Sequence, residues 1–500
     1  MMKPQSTFSP ISLRYVAALR GVKPRPAGVA FTYAEAACRD PEKLICLAAS
    51  NPEGRFYGLV ASEPLRRDAE TLATDRGIFN AVFLTGSPSE TLARIGNGSA
   101  LPPMLDFLCC DESAAALPAG EREALFDLAQ KRLNPGGLFT TSYRAYDSDD
   151  GALHFLIREL APEMNEDQKQ EFLLEIRRLA GPYLDAHPAV AQSLKNAIVK
   201  GVAEDFFVDY VNDDAPSGTF NTMVAMSKRG FAYGGDASVT ANYVELSVPV
   251  DAQDLVVSCR QHILYEPIKD VALSRTVRND IWVKNPADIS TDAAELFGGF
   301  AYGILMPRGE IPASFKAIGK KIDLSSPLYT KLIDLMSLIP IGIGDFLGHA
   351  SGTGEQASKI IEAIQILVAC GIATPMRGLR EEASAPWSSV AQPRLVGSFN
   401  RYLDKTDLSG TEIWFASQVT GYGLSVPTRD ALVMQALNRA GLNNSVSALM
   451  PELRRLAKTA DALSIMEADE PTAEIAQALV RDVVGKSLPQ WYAYALLEAA

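Results

Sequence analysis

The sequence has no basic surplus, no closely paired metal ligands and no long apolar run. Its 47 lysines and arginines face 60 aspartates and glutamates, a formal charge of −13 spread along the chain. Phosphate backbones are held by concentrated basic surface, so nucleic acid is not expected as a partner. The six cysteines, Cys38, Cys46, Cys109, Cys110, Cys259 and Cys370, include no CxxC pair, and His154, His187, His262 and His349 lie far apart. Structural zinc sites draw their ligands from close pairs, so no metal is expected. Cys109 and Cys110 are neighbours inside LDFLCC, where adjacent strand residues point to opposite faces, and buried reduced thiols are the expectation. The richest apolar run, Leu332 to Ile343, is broken by Asp334 and Pro340, and the opening MMKPQSTFSPISLRY has no apolar core of signal-peptide length. A soluble, cytoplasmic protein without a membrane span is expected. Internal repeats and low-complexity tracts are also missing.

What is there is a globular composition, 47% hydrophobic and 21% charged over 500 residues. That length suits roughly two to four domains. From Gly28 to Tyr143 short apolar runs alternate with amphipathic stretches, the pattern of a parallel sheet covered by helices. VAFTYAEAA, RFYGLVAS, NAVFLTG, MLDFLCC and GLFTTSY read as five strands. PEKLICLAASNP, EPLRRDAETLATDRG and EREALFDLAQKRL read as the helices between them, and the turn Asn134-Pro135-Gly136-Gly137 leads into the fifth strand. In such a doubly wound sheet, ligands sit beyond the carboxyl ends of the strands.

At those ends the sequence resembles class I S-adenosylmethionine methyltransferases. In that family a strand ends in E-L-G-C-G-x-G, a helix follows, and a second strand ends in an acid. AEAACRDPEKLICLAASNPEGRFYGLVAS matches this layout from Glu35 through Asn51-Pro52 to Gly58, as does the later L-N-P-G-G turn at Leu133 to Gly137. The resemblance implies a Rossmann-like α/β methyltransferase domain with S-adenosylmethionine as cofactor. Carried over residue by residue, Glu35 and Cys38 are retained, but the three glycines fall at Ala37, Arg39 and Pro41. The acid for the ribose hydroxyls falls at Val60, and the acid near the adenine falls at Ser87. Glycine serves where backbone turns sharply beside a ligand, so each replacement adds atoms there. Valine accepts no hydrogen bond. The loop after the fourth strand carries Asp111, Glu112 and Ser113 where the family has polar and aromatic residues; the two acids read as a loop or helix start or as a general acid/base pair.

Further along, HFLIRELAPEM, DQKQEFLLEIRRLAGPYLDAHP and VAQSLKNAIVKGVAEDFF show helical spacing and need partners for their apolar faces, on the first domain or across a dimer. VDYVND (Val208 to Asp213), RGFAYGGDASVTANY (Arg229 to Tyr243) and IKDVALSRTVRNDIWVKNP (Ile268 to Pro286) resemble the methyltransferase regulatory domain. That domain is found behind methyltransferase domains of bacterial proteins that include lysine methyltransferases. Arg278 and Asp280 there read as an ion pair at a helix-to-strand junction or as a functional cluster. SKIIEAIQILVACGIATPM reads as a helix entering a strand, as in winged-helix modules. SFNRYL (Ser398 to Leu403) and IWFASQVTGYGLSV (Ile413 to Val426) resume the family pattern, with Gln418 replacing a proline. The glycines of FGGFAYG, SGTGEQ and PIGIGDFLG read as turn glycines, since none is followed by a phosphate-loop lysine.

The expected divisions are a methyltransferase-like Rossmann domain over 1–150, a helical connection over 151–207, a regulatory domain over 208–289, a winged-helix-like domain over 290–390 and a C-terminal helical domain over 391–500. Losses concentrated at ligand positions predict a pseudo-methyltransferase that needs no cofactor and acts by binding protein, as a homodimer or with an active methyltransferase paralogue. The alternative is an active S-adenosylmethionine-dependent, protein-lysine methyltransferase with an atypical cofactor site. A third reading reuses the pocket for another small ligand, with Arg39 drawing an anion to the helix start.

Overall fold

The computed structural model describes residues 2–499 apart from 5–7, 25, 27, 96–100, 111–116, 147–150, 162–163, 201–217, 261, 288, 351–356, 379–392, 406–407, 409–411 and 457–471. Its centre is a seven-stranded sheet of β1 (Phe31–Glu35), β2 (Gly54–Val60), β3 (Ala81–Thr85), β4 (Leu105–Cys110), β5 (Leu133–Arg144), β6 (Phe231–Asp236) and β7 (Val277–Lys284). The strand order is β3-β2-β1-β4-β5-β7-β6. β1 to β5 are parallel, and β7 runs antiparallel to both of its neighbours. The order reverses direction between β1 and β4, the switch point at which a ligand crevice opens.

Strand residues alternate between two cores. Tyr33, Phe56, Val60, Phe107, Cys109 and Ile281 face one core together with helix Pro41–Ser50. Ala34, Tyr57, Leu59, Cys110, Phe139 and Trp282 face the other with helix Ala119–Arg132. Both faces are covered, which is why these strands read as nearly continuous apolar runs. Cys109 and Cys110 accordingly lie on opposite faces, both buried and neither in a disulfide. The helices start at side-chain caps: Asp40 accepts from the Lys43 amide with Pro41 at the first position, and Ser62 accepts from the Leu65 amide at the start of Glu63–Asp75.

β6 and β7 come from the segment expected to form a regulatory domain of its own. They complete the sheet begun by residues 31–144, so a single sheet runs across the expected boundaries at 150 and 208. Between them, helices Gly151–Leu160, Glu166–Leu179, Gly181–Ala186 and Pro188–Lys200 share a third core with Val250–Ser258 and Tyr265–Ala272. Their apolar faces are thus buried within the chain, through Leu153, Phe155, Leu173 and Ile176 against Val248, Val256, Ile268 and Val271.

Helix Ala357–Ala369 enters strand Thr374–Met376, as its sequence suggested, and that strand pairs with Ala301–Gly303 beside Ile341–Gly342. The region expected to be a C-terminal helical domain also contains a hairpin, Glu412–Ser417 with Tyr422–Pro427, to which Lys3–Pro4 adds a third strand. The hairpin docks on helix Pro41–Ser50. The Asn51 amide nitrogen donates to Leu47 O at 2.8 Å and Gly421 O at 2.9 Å, and the Ser417 amide donates to Ser50 Oγ at 3.1 Å. Arg76 lies 4.7 Å over the Phe399 ring and 4.6 Å over Tyr402, from the SFNRYL stretch, and pairs with Glu42 at 2.5 Å. Asn51 and the SFNRYL stretch therefore fix one part of the chain to another. No helix among the described residues is long and apolar enough to cross a membrane.

Candidate cofactor site and the buried charge network

The carboxyl ends of β1 to β4 bring the family motif positions to one edge of the sheet. Glu35 closes β1 and is half-buried. The loop after it is stitched to both neighbouring strands: the Ala36 amide donates to Cys109 O and the Cys38 amide to Leu59 O, each at 2.8 Å. Ala37, between them, has φ of +54°, the left-handed conformation that glycine adopts without cost. The sharp turn of the motif is therefore kept while its glycine is not. A side chain there costs about 1–2 kcal/mol against glycine's greater unfolded-state entropy of about 0.5–1 kcal/mol. Ala37→Gly is expected to raise stability by about 0.5–1 kcal/mol in a urea titration.

The other motif positions differ in their surroundings. Arg39 is exposed, and Pro41 opens the helix that Asp40 caps. Val60 is 0% exposed and belongs to the apolar core. Ser87 caps helix Pro88–Ala93 in a capping box with Glu90 and also donates to Glu121 Oε1 at 3.1 Å. Although burial works the other way, hydrogen bonds from Ser89 and Ser87 hold the Glu121 carboxyl below its ordinary range. Cys38 is pushed up by burial and by the neighbouring Glu35 carboxylate, so it stays a neutral thiol. Asp111, Glu112 and Ser113 lie outside the described residues.

One acid at this edge escapes the motif spacing. Glu63, three residues beyond Val60, accepts from the Thr85 hydroxyl at the end of β3 at 3.3 Å. Hydrogen bonds from Arg66 and then Arg67 pull its carboxyl down to about 2. Its signal in the sequence was its place in the first turn after a strand, where acids complement the helix dipole.

Farther along the same edge, where β5, β6 and β7 end or begin, lies a buried charge network. Arg278 on β7 donates to Asp270 at 2.6 Å, to Glu266 at 3.0 Å and to Asp280 at 2.9 Å. Lys269 pairs with Glu266 at 2.7 Å, Arg20 pairs with Glu266 at 3.1 Å, and Arg275 pairs with Asp236. Tyr143 from β5 and Tyr233 from β6 donate to Asp280, and Thr219 donates to Asp270 at 2.7 Å. Sequence reading found Arg278 with Asp280 but not helix Tyr265–Ala272 as the source of the other acids. Arg278, Asp270 and Asp280 are each 0% exposed, so these three side chains are closed to solvent.

Burial pushes the Asp280 carboxyl up from 3.8 to about 6 against the pull of Arg278. A carboxyl that binds its proton more tightly in the fold than in the open chain stabilises the fold at low pH and loses that contribution as pH rises. Asp280→Asn removes this titration. The stability advantage of the unaltered protein over the Asp280→Asn variant is expected to shrink from pH about 4 to about 6 and stay flat above, checked by urea unfolding across that range.

Residues 206–284 match the family model of a predicted methyltransferase regulatory domain. PKMT2 from Rickettsia typhi matches along almost the whole chain, with 98% of each chain covered, a TM-score of 0.63 and 15% identity. The same protein in complex with AdoHcy gives 98% coverage of each chain, a TM-score of 0.63 and 14% identity. The chain has the class I methyltransferase fold. β7 runs antiparallel between β5 and β6, and the matched residues 206–284 supply both β6 and β7. No curated protein matches the sequence. Among the described residues no group of three or more His, Cys, Asp or Glu could hold a metal ion.

Proposed function

We propose that this chain is a pseudo-methyltransferase, a cytoplasmic bacterial protein that keeps the methyltransferase fold as a surface for protein contacts. Its partner is a second copy of itself or an active methyltransferase paralogue. The observation that carries the reading is Val60, enclosed in the apolar core where the ribose acid of the family would stand. A buried partner lost costs about 1–3 kcal/mol. Losses at the ribose, the adenine and the glycine turn together take a micromolar site beyond useful affinity.

A second reading, an active S-adenosylmethionine-dependent methyltransferase acting on protein lysine, is favoured by Glu35 at the end of β1 and by the retained left-handed turn at Ala37. The AdoHcy complex of PKMT2 supports it from the side of the fold. Methyl transfer rests on positioning and a deprotonated nucleophile, so it requires no fixed triad. Titration with S-adenosylmethionine and with AdoHcy in a calorimeter decides between the two. The pseudoenzyme predicts no binding tighter than about 100 µM. A tighter site overturns it and leaves the enzyme reading standing.

A further inference from the structure

The first residues of the chain bind together parts that lie hundreds of positions apart. Lys3–Pro4 pairs with the C-terminal hairpin at Leu424 and Ser425. Helix Pro10–Leu19, capped by Ser9, buries eight of its ten residues. Tyr15 packs edge-on against Phe297, Phe300 and Tyr302. Val16 presses on Gly235 of β6, where an added Cβ would come within 2.8 Å of its methyl group.

The residues just after this helix hold the chain both before and after β7. On one side Arg20 donates to Glu266 Oε1 at 3.1 Å and lies 5.2 Å over the Tyr233 ring, which also stacks with Arg278 at 5.7 Å. On the other side Gly21 O accepts from the Ser290 amide at 2.8 Å, Val22 bridges to Ile289, and Lys23 pairs with Glu295 at 2.9 Å. Gly21 has φ of +83°, and a Cβ there would meet Ser290 O at 2.9 Å, so the close approach depends on glycine. The charge network balances Arg20, Lys269, Arg275 and Arg278 against Asp236, Glu266, Asp270 and Asp280. Of the eight, Arg20 is the most open to solvent, with 31% of its side chain exposed against 17% for Arg275 and 3% or less for the rest.

We propose that residues 20–23 are a releasable clasp on the regulatory segment, through which the position of the N-terminal helix sets whether helix Tyr265–Ala272 and β7 stay locked to the sheet. Withdrawing the helix takes one positive charge from a balanced buried network and frees the chain at 289–295. Unpaired buried charge is the costly state, so the network loosens as a unit. The strand Lys3–Pro4 on the hairpin gives this clasp a handle on the other side of the helix.

Hydrogen exchange read by mass spectrometry on the full chain tests the clasp. Arg20→Ala is expected to speed exchange in 231–236 and 265–284 by about tenfold and to leave 31–60 unchanged. Arg20→Lys, which keeps the charge and loses the stacking, falls between the two. Gly21→Ala keeps every charge and displaces the chain from Ser290, and it is expected to expose the same peptides. Exchange in 265–284 within about twofold of the unaltered protein in both Arg20→Ala and Gly21→Ala overturns the proposal. Equal acceleration in all peptides overturns it as well, since that is global destabilisation and not the opening of a clasp.

Discussion

Arg278→Met is expected to lower the stability of the fold by about 3–5 kcal/mol near neutral pH, a large share of the roughly 5–15 kcal/mol that holds a domain together. The methionine fills most of the space, so packing is not the main loss. What remains is Glu266, Asp270 and Asp280 packed together, with Lys269 and Arg20 on the Glu266 side and Arg275 already paired with Asp236. Asp270 keeps its hydrogen bond from Thr219 and Asp280 those from two tyrosines, which do not neutralise charge. Stranded carboxylates hold their protons more tightly in the fold than in the open chain, so the deficit is expected to shrink as pH falls toward about 5. Urea unfolding at both pH values measures it. Arg66→Ala removes a guanidinium that pairs with Glu63 and Glu70 on an exposed helix face, and no measurable change is expected there. A deficit for Arg278→Met as small as that of Arg66→Ala would show that the network contributes little to holding β7 in place.

A network of this kind is a poor source of net stability, because desolvating eight charges consumes most of what their pairing returns. What it does provide is a single permitted arrangement. Arg278 meets Asp270 and Glu266 only when helix Tyr265–Ala272 lies in one register against β7. The regulatory segment is thereby fixed to the sheet by geometry, whereas the helices of 151–200 are held by ordinary apolar packing.

The order of the first five strands was legible because each is a short, continuous apolar run and the first two intervening helices open with their own caps, Asp40 and Ser62. The helix at Pro10–Leu19 carried the same signal in Ser9-Pro10, yet its apolar residues are spread too evenly round the helix to mark one face. That β6 and β7 join the first sheet depends on pairing between Leu138–Arg144 and Val277–Val283, some 140 positions away, for which no local pattern exists. At the carboxyl edge of the sheet, spacing singled out Ala37 and Val60, which lie just past β1 and at the end of β2. It assigned Ser87 by analogy to the adenine acid, while the structure engages that hydroxyl as a helix cap. Capping is a local property that Ser-Pro-Ser-Glu already spelled out. The charge network was half legible: Arg278 and Asp280 are close in sequence, but their partner Tyr143 arrives from another strand.

Restoring the motif is the sharpest test of what these replacements did. Ala37→Gly, Arg39→Gly, Pro41→Gly and Val60→Asp together are expected to bring AdoHcy binding from undetectable to the micromolar range, read by calorimetry. The four changes are unequal. Ala37→Gly relieves a left-handed residue and removes a methyl group beside the turn, so it helps the fold as well as the site. Arg39 is exposed, and its removal clears space without touching the core. Pro41→Gly weakens a well-started helix, although Asp40 still caps it. Val60→Asp does most for the ligand and most harm without it, since a carboxylate enclosed in the apolar core has neither water nor partner until two ribose hydroxyls arrive. AdoHcy is therefore expected to raise the melting temperature of the quadruple variant and to leave that of the unaltered chain unchanged. The pair Ala37→Gly with Val60→Asp is expected to recover most of the gain, at least about 30-fold in affinity from two ribose hydrogen bonds worth about 1–3 kcal/mol each. A quadruple variant that folds but neither binds nor is stabilised by AdoHcy would mean that the barrier to the cofactor lies elsewhere on the edge. The pinned pair of Ser87 with Glu121 and the packed end of β4 at Cys109 and Cys110 would then be the next groups to change.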